Sequence, residues 1–358
     1  MRAAVLQRTL PPGAIVSTTL PRLSVTQYDA SCKADWDQFV DAGKNATFMF
    51  RRDYMDYHAD RFNDHSLVVR KDEQIVGLLP ANLRDAGTLC SHQGLTYGGF
   101  VLRRDATLTT AVEIAQASLA YLHAKGIDTL VYKRLPRFYS TLPDDEIDYA
   151  LFLLDAKLAR RDCSLVIACA DRLPVRRDKK NKINKGRRAG LTLSEEKTFA
   201  PFWRDVLEPR LMERFGVKPV HTLDEITQLA TKLPQHIKQY SVYAGSEIMA
   251  GVTIYETPTV AHMQYSAVTA EGERRSALDF LVDWLISQRY KDKRFFDFGI
   301  CNERDGRAVN HGLLQSKEGF GARSMVHDFY TIGTCDHGKL SVVLPRMPAA
   351  APNGEVCA

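Results

Sequence analysis

The chain has 358 residues, 45% of them hydrophobic and 25% charged, with a formal charge of +5. This balance excludes a wholly disordered, collagen-like or disulfide-stapled protein, and the length suits two domains. No stretch approaches the roughly 18–20 apolar residues that cross a bilayer, and Gln7, Arg8, Pro11 and Pro12 interrupt any apolar leader, so the expected address is the cytoplasm.

Residues 1–21 read as a disordered N-terminus, and a first domain is expected over 22–170. It opens with a helix anchored by Trp36 and Phe39. A second helical stretch carries Tyr54, Tyr57, His58 and Arg61 on a polar, aromatic face, a candidate substrate surface. The apolar strand Gln74–Leu78 follows, then a second strand carrying His92 and Tyr97, also candidate substrate contacts. Val112, Ala115, Leu119 and Leu122 recur at helical spacing, and Asp128–Tyr132 reads as a strand.

Residues 171–190 form a basic junction. Nine Lys/Arg and one acid lie between Arg172 and Arg188, a charge of +8 that leaves −3 for the rest of the chain. Such a block suits a phosphate backbone, an anionic lipid surface or a phosphorylated ligand, and equally a solvated helix face. No aromatic residue interleaves it, which argues against stacking on single-stranded RNA.

A second domain, expected over 191–338, repeats the order of the first. Phe202 and Trp203 anchor its opening helix, and Glu247–Val252 matches Gln74–Leu78. His262 and Tyr265 lie on the next strand, Leu278, Leu281, Val282 and Leu285 mark the helix, and Arg294–Phe298 the closing strand. The offset between matching segments drifts from about 174 to about 165 residues, so the likeness is one of pattern. Residues 339–358, rich in Pro and Ala, read as a disordered tail. The predicted class is α/β with a mixed sheet. Seven scattered cysteines without a Cys-x-x-Cys pair imply reduced thiols, and no residue spacing suggests a metal site.

The segment Phe296-Asp297-Phe298-Gly299-Ile300 with Glu303, Gly306, Asn310-His311-Gly312-Leu313 and Lys317-Glu318-Gly319-Phe320-Gly321 resembles the FemAB-like branch of the GNAT acyltransferase superfamily. So do Ser91–Gly99 and Pro219–Leu229. The resemblance covers about residues 30–335. It implies two tandem GNAT-like domains packed side by side and acyl transfer to an amine, from aminoacyl-tRNA as in FemABX enzymes or, as the favoured expectation, from acyl-CoA, acetyl-CoA first. It also implies that Lys317 lies near the reacting carbonyl.

Acyl transfer to an amine needs a base, a stabilised oxyanion and a proton donor for the leaving group. Lys317 is the candidate for the oxyanion, Glu303 and then Asp297 for the base, and Tyr265 for the donor. Asp297, between two phenylalanines, reads equally well as a buried structural carboxylate. In a regular strand His262 and Tyr265 would face opposite sides. The turn Gly272, Arg274, Arg275 and Ser276 before a helix near Ala277 is the candidate phosphate site, although it lacks the later glycines of the usual GNAT turn. The leading expectation is transfer from acyl-CoA to an amine of a cell-envelope sugar or related precursor. The alternatives are transfer from aminoacyl-tRNA and a catalytically inactive binding module. Peripheral contact with a membrane is compatible with either transferase.

Overall fold

The structure is a computed structural model that describes residues 23–344. Residues 1–21 and most of the expected tail lie outside the described residues. The tail was expected from 339, but Thr334–Val343 form a 3-10 helix and Leu340 is fully buried, so ordered chain continues past that point. Among the described residues no helix is long and apolar enough to cross a membrane.

The first half contains strands β1 (Leu23–Gln27), β2 (Asn63–Asp64), β3 (Leu67–Lys71), β4 (Gln74–Leu79), β5 (Asn82–Asp85), β6 (Thr88–Cys90), β7 (Val101–Leu102), β8 (Thr129–Lys133) and β9 (Lys157–Ala168). Its helices are α1 (Lys33–Ala42), α2 (Arg52–Met55), α3 (Leu108–Ala124) and α4 (Glu146–Leu153). The second half contains β10 (Thr192–Glu196), β11 (Ile237–Ala244), β12 (Glu247–Glu256), β13 (Val260–Val268), β14 (Phe295–Ile300), β15 (Asn302–Glu303), β16 (Ala308–Val309) and β17 (Arg323–Gly333). Its helices are α5 (Arg177–Arg188), α6 (Ala200–Phe202), α7 (Glu208–Phe215), α8 (Leu223–Lys232), α9 (Ala270–Arg275), α10 (Ala277–Trp284) and α11 (His311–Glu318).

The repeat read from sequence is a repeat of topology, two GNAT-like units. In the second half the hairpin β11–β12 is followed by β13, helices α9 and α10, and β14, which is parallel to β13; in the first half β3–β4 is followed by β5 to β7, helix α3, and β8, which is parallel to β6. The expected second strand of the first half is broken. Its two pieces, β6 and β7, flank a loop over 91–100, so His92 and Tyr97 lie on that loop rather than on a strand.

The units are joined by exchanged strands. The large sheet runs β10-β11-β12-β13-β14-β9-β17-β8-β6-β5-β2. Strand β9, the last of the first half, pairs with β14 of the second, and β17 inserts between β9 and β8. One sheet therefore crosses from unit to unit. Ladder bonds there satisfy backbone groups that a simple side-by-side contact would leave at two open edges.

Amphipathic helices cover this frame. Thr107 caps α3 by accepting from the Thr110 amide, and Ala111, Val112, Ile114, Ala115, Leu119 and Leu122 bury its inner face. Leu281 and Val282 of α10 pack with Val252, Ile254 and Phe296 on one sheet face of the second unit. A third core lies between the units, where Trp36 and Phe50 join Trp203, Tyr255 and Val166. Each tryptophan donates its indole N–H to a backbone carbonyl, Trp36 to Phe50 and Trp203 to His221. A buried ring thereby keeps its polar edge satisfied.

Candidate active site

Strands β13 and β14 are in parallel register at Val260–Phe295, Ala261–Phe296 and His262–Asp297, and their pairing stops there. Gly299 then takes a φ of +72°, a conformation that favours glycine, as β14 turns away. A cavity of about 430 Å³ opens at this divergence. It takes His262 and Gln264 from β13, Asp297 from β14, Tyr97 and Tyr139 from the first half, and His327 from the exchanged strand β17.

Asp297 is 2% exposed and its carboxylate is surrounded by donors. Oδ2 accepts from the Tyr139 hydroxyl at 2.8 Å and lies 2.8 Å from His262 Nδ1, while Oδ1 accepts from the Gly299 amide at 2.7 Å. Burial works to raise its pKa. The neighbouring imidazole and these hydrogen bonds outweigh burial and hold it below the ordinary aspartate value. An ionised Asp297 fixes the tautomer of His262 with the proton on Nδ1, leaving Nε2 as an acceptor.

The sequence reading of β13 is corrected here. Tyr265 pairs with Thr253 and His262 with Tyr255, with a bulge between. Thr253 and Tyr255 share a face, so His262 and Tyr265 do too; the extra residue resets the alternation. Tyr265 nonetheless turns away from the cavity. Its hydroxyl accepts from the His221 amide at 3.2 Å and lies 2.5 Å from His221 Nδ1, beneath Trp203.

The other expected residues are dispersed. Lys317 is the penultimate residue of α11, 5% exposed, and donates to the carbonyls of Gly299 at 3.0 Å and Ile300 at 2.8 Å. It clamps the diverging end of β14 and does not line the cavity. Burial pushes its ammonium down to about 8, against the attraction of Asp297 and Cys301. Glu303 is exposed on β15 and accepts from the Asn310 amide group at 3.1 Å. Tyr54 is buried, with its hydroxyl 3.4 Å from that of Tyr255. Tyr57 stacks on His58, Arg61 pairs with Glu225, and His92 stacks on His58; none of them lines the cavity. Tyr97 does line it, donating to Thr47 at 3.2 Å.

Tyr139, Lys133 and His327 carry no motif that marks them in the sequence, and His262 stands out there only beside Tyr265. Lys133 lines the cavity and donates to the carbonyls of His92 and Leu95, fixing the loop that replaces a strand in the first half. His327 is the cross-strand partner of Asp162, and burial pushes its pKa down to about 3. The local sequence signal for His262 is its place on the strand before the crossover helices, with Asp297 on the strand after them. The register that joins them was not legible.

Beyond Gln264 the free side of β13 continues into a groove of about 640 Å³, lined by Ser266–Val268, α7, α11 and the basic helix α5. Lys179, Lys182, Arg210 and Arg214 face it against Glu273 and Asp279, while Leu211, Phe215, Leu278 and Leu313 supply apolar surface. Lys179 is paired with Asp279 and Arg210 with Glu273, and Arg214 lies 3.5 Å from Glu273, so Lys182 is the lining cation with no ion pair among the described residues.

The expected phosphate turn contributes little to it. Residues 270–275 are a helix capped by Thr269, and the amides of Glu273 and Ser276 donate to Thr269 and Glu273 carbonyls. Arg274 and Arg275 pair with Glu271. Gly272 and Ser276 reach the groove, but a Cβ on Gly272 would lie 2.2 Å from the Met249 carbonyl oxygen, so close strand packing accounts for that glycine.

No protein-family model matches the chain, and no curated protein matches it. Solved structures match its fold. A structure of FemX superposes with a TM-score of 0.61 at 10% identity, covering 85% of this chain and 96% of that one. L-PGS from Bacillus licheniformis gives 0.50 at 12% identity, covering 76% and 87%. A conserved protein of unknown function from Bacteroides thetaiotaomicron gives 0.54 at 8%, covering 87% and 100%. The chain has the two-unit, GNAT-like fold of FemX.

Proposed function

We propose that this protein is an acyltransferase that moves an acyl group from acyl-CoA to an amine of a cell-envelope sugar or related precursor. The observation that carries this reading is the His262–Asp297 pair in a cavity between the units, where β13 and β14 diverge. Asp297 orients His262, and Nε2 accepts a proton from the incoming amine. The donor thioester supplies the electrophilic carbonyl; a C–N bond forms, the C–S bond breaks, and the thiol leaves with a proton returned by His262. Side chains of Lys182 and Arg214 would meet the donor phosphates, since the amides before α10 are engaged in their own helix.

A second reading, transfer from aminoacyl-tRNA, draws on the cations of α5 along the groove. A thermal-shift titration with acetyl-CoA, longer acyl-CoAs, free CoA and bulk tRNA at fixed salt separates the two. Saturation at about 100 times Kd adds roughly 2.7 kcal/mol to the folded state. A saturable rise with acyl-CoA supports the proposal, and a shift with tRNA alone overturns it in favour of the second reading.

A further inference from the structure

Two surface features meet at the mouth of the groove, and of their side chains the proposed reaction uses only Lys182 and Arg214. The first is apolar: Met212, Phe215, Val217 and Val220 are 50%, 66%, 50% and 73% exposed within nine residues at the end of α7 and just beyond it. Arg214 and Lys218 lie among them. The second is cationic. On α5, a helix about 18 Å long, Arg177, Lys180, Lys182, Lys185 and Arg188 are exposed and make no ion pair among the described residues, whereas Arg176, Lys179 and Arg187 are paired with Asp178, Asp279 and Asp283.

Phe215 and Lys182 both line the groove, so the apolar segment and the basic helix flank one opening. Cations alone would suit any polyanion. Four apolar side chains held in water beside them suit a partner with an apolar interior beneath a negative surface. We infer that this face docks on an anionic lipid bilayer, with Phe215, Val217 and Val220 entering the headgroup–acyl boundary and α5 lying against the headgroups. The groove then opens at the membrane, within reach of an acyl chain or a lipid-linked acceptor. The inference goes beyond the proposed reaction and does not depend on it.

The test is co-sedimentation of the full chain with phosphatidylcholine vesicles containing phosphatidylglycerol, and with pure phosphatidylcholine vesicles. Neither needs a substrate, so failure of the transferase reading leaves the result intact. Binding to the anionic vesicles that weakens with salt is expected, with about a fivefold loss for each lysine removed in Lys180→Gln, Lys182→Gln and Lys185→Gln. The double variant Phe215→Ser/Val220→Ser should also lose binding. These side chains are exposed, and matching thermal melts establish that the variants fold. Protein left in the supernatant overturns the inference. So does vesicle binding that the Phe215/Val220 pair does not affect, or retention by bulk tRNA in place of vesicles, which would make α5 a general polyanion site.

Discussion

His262 Nδ1 lies 2.8 Å from Asp297 Oδ2 because the two residues are register partners on adjacent parallel strands, although 35 positions apart in the chain. A crossover through α9 and α10 separates them in sequence, and the parallel ladder reunites them at the point where the strands part.

If His262 is the base, His262→Gln should lower kcat for acyl transfer by about 10²–10⁴-fold with little change in KM. Asp297→Asn keeps the shape but can reverse the hydrogen bond and favour the wrong tautomer. Its pH–rate profile should change along with kcat. Steady-state rates across pH check both, and an unchanged rate in His262→Gln would remove it from the chemistry.

Acid should destabilise the fold through buried histidines. Burial brings His92 down to about 3 and His221 to about 4, from an ordinary 6.5, so each stays neutral in the folded chain while the unfolded chain takes up a proton. The unfolded state therefore binds more protons below pH 6.5, and stability falls as pH drops from there towards 4. His92→Asn retains an acceptor for the Gly94 amide. It should flatten the slope by one proton, about 1.4 kcal/mol per pH unit, in urea melts.

Lys317 acts in the same direction at alkaline pH. Its folded value of about 8 lies below the ordinary 10.5, so between these the unfolded chain holds the extra proton and stability rises with pH. Lys317→Met should lose this rise between pH 8 and 10 relative to wild type. It should also loosen the end of β14, seen as faster amide exchange at Gly299 and Ile300.

Gly251→Ala tests the packing of the second unit. The added Cβ would approach the Phe202 ring to 2.2 Å, an overlap that should cost about 1–3 kcal/mol in denaturant melts. Gly190→Ala meets no atom within 4 Å but sits at φ +64°, so backbone strain alone should cost it about 1 kcal/mol.

Elements whose signals are local were legible before the fold was known. Short apolar runs located β4 and β12, helical spacing located α3 and α10, and the repeat of pattern pointed to two units. The charge count marked α5 before its helix was known. The 296–322 segment drew attention to β14, and Asp297 was among the candidates there. The tertiary structure decided what depends on register between distant segments. It set the exchange of β9 and β17, the bulge that returns Tyr265 to the face of His262, and the burial that made Lys317 a clamp on β14. A one-residue shift turns a strand's side chains to the other face, and the energy that selects a register comes from the packed sheet as a whole. No local stretch of this chain records that energy, so the His262–Asp297 pair became visible only when β13 and β14 lay side by side.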